Sequence, residues 1–140
     1  AGIAFSNSSV ALVHAMSRPI GAFYHVPHGL SNAMLLPTVT KFSIPSAKEK
    51  YADCARAMGI AKANDNDNDA TKKLINELIK LNIDLQVPTL KDFGVNEEDF
   101  LNNLETMAVQ AIASGSPGNN PIVPSQDKVI LLYKELWEKP

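Results

Sequence analysis

Two histidines in a nearly uncharged stretch are the residues of this sequence best suited to chemistry. His14 and His28 stand fourteen positions apart, too far to be neighbours on one helix. They meet only if the chain turns after Pro19 and lays a second helix against the first. Two neutral imidazoles brought together suit divalent iron or zinc, whose bond to nitrogen measures about 2.0–2.1 Å in the case of zinc. The other reading makes them hydrogen-bonded core residues, and spacing alone favours that one. Asn7, His14 and Arg18 form a polar stripe, because seven residues turn about 700° around a helix and four turn about 400°. The stripe reads either as an internal polar site or as a cap at Asn7 with an arginine reaching past the helix end.

Two further groups look chemical at first sight. Asp65-Asn66-Asp67-Asn68-Asp69 resembles the start of a calcium-binding loop. Its sixth position is Ala70 rather than glycine and its twelfth is Asn76 rather than glutamate, so the sharp turn and the bidentate ligand are absent. A solvated loop is expected. Cys54 lies among Tyr51, Ala55 and Met58 on an apparent helix, where it reads as a small core residue rather than a nucleophile.

The elements that must position these groups read as helices throughout. The first runs over residues 2–17 and is expected to end before Pro19, since the residue ahead of a proline avoids the α region. Pro27 can stand in the first turn of a second helix reaching about Leu36, with Pro37 kinking it or beginning a continuation. Ser46-Ala47-Lys48-Glu49 has capping-box spacing and opens a helix that ends at Gly59. After a polar loop over residues 63–69, Leu74, Ile75, Leu78, Ile79 and Leu81 keep helical spacing to about Asn82. Asn96 caps a helix whose apolar face is Phe100, Leu101, Leu104, Met107, Ala108 and Ala111. Ser125 caps the last helix, which buries Val129, Leu132, Tyr133, Leu136 and Trp137. No period-2 alternation, internal repeat or glycine-rich phosphate loop interrupts this pattern. The fold class is all-α.

Composition narrows the partners. A chain of 140 residues with 45% apolar and 20% charged residues can bury a core as one domain. A net charge of −2 argues against nucleic acid or an anionic membrane surface. No apolar run reaches the roughly 18 residues of a membrane span, and no secretory signal opens the chain. The single cysteine leaves no internal disulfide, and together these features favour the cytoplasm. Between Ala1 and Thr40 the only charged side chain, counting histidine as neutral, is Arg18. Such a stretch belongs inside a larger assembly, and Ala1 reads as an internal position of a longer protein.

The residues that carry chemistry also carry a resemblance. The run Ala1-Gly2-Ile3-Ala4-Phe5-Ser6-Asn7, then Leu12-Val13-His14-Ala15-Met16, Pro19-Ile20-Gly21-Ala22, Pro27-His28-Gly29 and Asn32-Ala33-Met34-Leu35-Leu36-Pro37 resembles the second metal-ligand segment of the iron-containing (group III) alcohol dehydrogenases. From there on the likeness is looser. It rests on the helical pattern and on the turn Ser116-Pro117-Gly118-Asn119-Asn120-Pro121 before a closing helix.

The resemblance implies that residues 1–140 are the helical metal and substrate domain of a dehydroquinate-synthase-like two-domain fold, with the α/β nucleotide-binding domain outside this chain. It implies His14 and His28 as two of four metal ligands, the others being an Asp and a His from upstream. The ion would be Fe2+ or Zn2+, acidifying an alcohol that passes hydride to NAD or NADP. Many relatives carry a histidine where this sequence has Arg18, whose guanidinium cannot release a proton near neutral pH. Arg18 is then expected to hold a carboxylate or phosphate, and His25 could take over proton transfer or stand simply at the surface. The implied partners are a small-molecule alcohol or aldehyde and, in the full-length enzyme, further copies of the same chain. The isolated chain is expected to be inactive. A non-catalytic helical interaction module, or a glycerol-dehydrogenase-like polyol oxidoreductase, is the alternative.

Overall fold

The computed structural model of the protein describes residues 2, 3, 6 and 9–138. Among these there is no strand, and the all-α expectation holds. The first helix differs from expectation at both ends. Gly2, Ile3 and Ser6 are helical, but residues 9–11 are not. Ser9 has a φ of 58°, a left-handed conformation that stops a helix. Helix α1 starts only at Leu12 and runs through Pro19 to Tyr24. Proline there removes the N–H that would bond the Ala15 carbonyl. Packing outweighs that loss, because Pro19 is buried together with Leu12, Ala15, Met16, Ser17 and Ile20. Asn7, the first member of the expected polar stripe, lies outside the described residues.

His25 ends α1 in a left-handed conformation, its N–H bonded to the Gly21 carbonyl at 3.0 Å. Pro27 then caps α2 (His28–Ser43), standing just outside the first turn rather than in it. Pro37 lies within α2 and is buried, so the helix continues seven residues past Leu36. A 3-10 turn, Ile44–Ser46, follows. It absorbs Ser46, and the expected capping box does not form: Ala47 caps α3 (Lys48–Ala57) without a side-chain bond. The other end of α3 is as read. Gly59, at a φ of 74°, donates to the Arg56 carbonyl and Ile60 donates to that of Ala55, which is the 5→2 and 6→1 pair of a Schellman closure.

Helix α4 (Asp67–Asp84) begins inside the expected loop. Asn66 caps it, accepting from the Asp69 N–H at 3.0 Å. The acidic cluster is bound by the protein itself. Asp65 accepts from Lys73 and from the Lys62 N–H, and Asp67 accepts from Arg56 at 2.7 Å. Helix α5 (Glu97–Ala113) has the expected Asn96 cap, whose side chain accepts from the Asp99 N–H. Helix α6 (Gln126–Glu138) buries the five residues expected of it, and the Lys128 N–H reaches the Ser125 hydroxyl at 3.3 Å.

The main core lies between α1, α2, α5 and α6, around Met16, Ile20, Leu35, Phe100, Met107 and Tyr133. Leu101, expected on the apolar face of α5, is 44% exposed; it follows Phe100 by about 100° around the helix and so misses the core. A smaller core joins α3 to α4 through Ala52, Ala55, Ala70, Leu74 and Leu78. Cys54 is exposed, contrary to expectation, because Ala52 and Ala55 take the inward positions of α3. No helix among the described residues is long and apolar enough to cross a membrane.

Candidate metal centre

The turn after α1 does what the two histidines require. It folds α2 back onto α1, and the His14 and His28 rings stand with their centroids 5.1 Å apart, tilted by 59°. His14 projects from the first turn of α1 and is half-buried, while His28 opens α2 and is exposed. Two helices therefore present two imidazoles at one edge of the main core. Met16, two residues beyond His14, accepts a bond of 2.8 Å from the buried Tyr133 hydroxyl of α6. That bond ties the helix carrying His14 to α6 across the main core.

Electrostatics keep His14 available as a donor. Burial, then the neighbouring His28, then the Arg18 guanidinium push its pKa below the ordinary histidine value. All three disfavour imidazolium, and a neutral ring is what a metal needs. Geometry also fits. Two imidazoles sharing one tetrahedral ion, with metal–nitrogen bonds of about 2.0–2.1 Å, hold their ring centres roughly 5 Å apart. No group of three His, Cys, Asp or Glu gathers at one place among the described residues, so the pair can supply half of a four-ligand set.

The other expected site residues take different places. Arg18 is exposed on α1, one turn beyond His14 and close enough to act on its charge. His25 is exposed at the C-terminus of α1, where its backbone rather than its side chain is engaged. Two residues at the site were not anticipated. Ser17 is fully buried, and its hydroxyl lies 3.3 Å from the His14 carbonyl oxygen and 3.2 Å from His28 Nδ1. Its signal in the sequence was a hydroxyl three positions after a histidine in an apolar helix. Asn32 stands one turn beyond His28, and its side-chain oxygen is buried without a hydrogen-bond partner. Nothing in the pattern of residues marks that oxygen.

Comparison with known proteins identifies the family. The family described as Fe-containing alcohol dehydrogenase family, C-terminal, matches residues 1–137. The chain is 36% identical to the NADPH-dependent butanol dehydrogenase of Clostridium saccharobutylicum over 96% of its own length and 34% of that protein. It is also 36% identical to the lactaldehyde reductase of Escherichia coli K12 over 98% of its length and 35% of that protein. Among solved structures, an iron-containing alcohol dehydrogenase from Thermococcus thioreducens superposes with a TM-score of 0.86 at 34% identity, covering 99% of this chain and 35% of that one. A 1,3-propanediol oxidoreductase gives 0.87 at 32%, covering 96% and 35%. The chain thus spans about a third of the length of these relatives. With its fold and its matched residues in agreement, the chain belongs to the Fe-containing alcohol dehydrogenase family, matching its C-terminal part.

Proposed function

We infer that the chain is the metal-holding part of an NAD(P)-dependent dehydrogenase that interconverts a small alcohol and its aldehyde. The observation that carries this reading is the His14–His28 pair, with its rings 5.1 Å apart at the junction of α1 and α2. His14 and His28 would hold Fe2+ or Zn2+ through neutral nitrogens, leaving coordination positions for further ligands and substrate. Such an ion, when bound, supplies Lewis acidity toward the substrate oxygen. The further ligands and the NAD or NADP site belong, in this reading, to the two thirds of the relatives that the chain does not span.

Arg18 and His25 would act at the edge of the site. Arg18 holds a fixed positive charge one turn from His14, suited to a carboxylate or phosphate of substrate or cofactor. It cannot serve as a proton carrier near neutral pH. His25, exposed and three positions before His28, is the side chain proposed for proton transfer to solvent. The similar proteins named butanol dehydrogenase and lactaldehyde reductase support small alcohols and aldehydes as the substrate class. The full-length enzyme is further proposed to be a cytoplasmic homo-oligomer.

The test is alcohol-dependent reduction of NAD and NADP by the full-length enzyme, before and after chelation and after return of Fe2+ or Zn2+. Activity should disappear with the ion and come back with it. Turnover that survives complete metal removal would reject the reading.

A further inference from the structure

We propose that Ser17 is the positioning residue of the site, orienting the His28 ring and fixing which of its nitrogens is free to bind. The inference rests on the metal reading above and adds to it a residue that sits in neither ligand position.

The Ser17 hydroxyl has one hydrogen and two neighbours within reach, the His14 carbonyl oxygen at 3.3 Å and His28 Nδ1 at 3.2 Å. A carbonyl oxygen can only accept. If the hydroxyl donates to it, the second contact is a hydrogen bond only when Nδ1 carries a proton and donates to the serine oxygen. His28 then has Nδ1–H and a lone pair on Nε2. In the opposite arrangement the hydroxyl donates to Nδ1, the carbonyl contact is lost as a bond, and Nε2 carries the proton. Only the first arrangement satisfies both contacts, and it leaves Nε2 as the donor nitrogen.

Burial makes the arrangement firm. Ser17 is fully buried in α1, between the ligating helix turn and the core. It touches the backbone at His14 and the ring of His28, so a single hydroxyl couples both imidazole-bearing helices. Ligating histidines are commonly held this way through their second nitrogen, and loss of such a partner typically weakens metal binding by 10–100-fold.

The experiment uses the full-length enzyme as parent, Ser17→Ala, Ser17→Thr and His28→Ala. Zn2+ affinity is measured by chelator competition, and the His28 tautomer by 15N chemical shifts of the metal-free proteins. Ser17→Ala should weaken Zn2+ binding by roughly tenfold or more. It should also shift His28 away from the Nδ1–H form, while Ser17→Thr restores both. Unchanged Zn2+ affinity in Ser17→Ala, or a parent His28 protonated on Nε2, would overturn the proposal. If His28→Ala also left Zn2+ binding intact, the metal reading itself would fall. If His28→Ala alone abolished it, only the role of Ser17 would.

Discussion

Replacing Tyr133 with phenylalanine isolates one bond that holds α1 in place. The Tyr133 side chain is fully buried, and its hydroxyl donates to the Met16 carbonyl at 2.8 Å. Burial pushes the phenol pKa far above its ordinary value, so it remains a donor throughout the working pH range. Phenylalanine keeps the ring and its edge contact with Phe100, at 6.3 Å and 87°. What disappears is one neutral hydrogen bond between α6 and α1. Met16 lies inside α1, where its carbonyl also faces the Ile20 N–H one turn on, so no acceptor is orphaned. The expected cost is about 0.5–1.5 kcal/mol, or a fall in Tm of roughly 2–5 °C for a domain of this size. Tyr133→Ala, which also empties the ring volume, should cost about 3–5 kcal/mol. Urea and thermal unfolding of the 140-residue chain, followed by circular dichroism, measures both. Tyr133→Phe as stable as the parent would show that the bond contributes nothing. A loss equal to that of Tyr133→Ala would show that the hydroxyl, not the ring, organises the core.

Further expectations concern the site and its supports. His14 should titrate below free histidine, and His28→Ala should raise its midpoint partway, because burial is the first cause of the depression and His28 the second. The neutral form is the favoured one in the fold, so this contribution to stability is present above the ordinary histidine pKa and is lost as pH falls below it. Histidine NMR of the metal-free chain checks both, and a midpoint at or above the free value would refute the reading. Arg18→Lys should raise the KM of the full-length enzyme for cofactor or alcohol, since a point charge replaces a bidentate fork; unaltered KM values for both would reject a binding role. Asn66→Ala should lower stability by about 0.5–2 kcal/mol through loss of the α4 cap, seen as a shifted urea midpoint. The 140-residue chain by itself should give no alcohol-dependent NAD(P) reduction, and measurable turnover would contradict the proposed division of the enzyme.

The helical class was legible because periodicity and caps are local signals. Asn96 bonds the Asp99 N–H as its position suggested, and Gly59 closes α3 at a positive φ. The helix end expected before Pro19 is wrong for a physical reason: the preference of the residue before proline is a weak local bias, and the buried surroundings of Pro19 override it. At Pro37, where a kink or a continuation was expected, the helix continues. Cys54 was placed inward by its apolar neighbours in sequence, but one face of α3 packs, and Ala52 and Ala55, three positions apart, occupy it. At the site, residue type pointed to His14 and His28, while their approach depends on how α2 folds onto α1. Ser17 could not be assigned a role from sequence at all, since its partner lies eleven positions away on the other helix.

The proposed function requires that His14 and His28 share one ion. Metal stoichiometry of the full-length enzyme beside His14→Ala and His28→Ala, measured by plasma mass spectrometry on folded protein, tests this directly. The parent should carry about one ion per chain, and each variant should lose it, because a site short of one imidazole binds far more weakly. Unchanged stoichiometry in either folded variant would contradict the assignment.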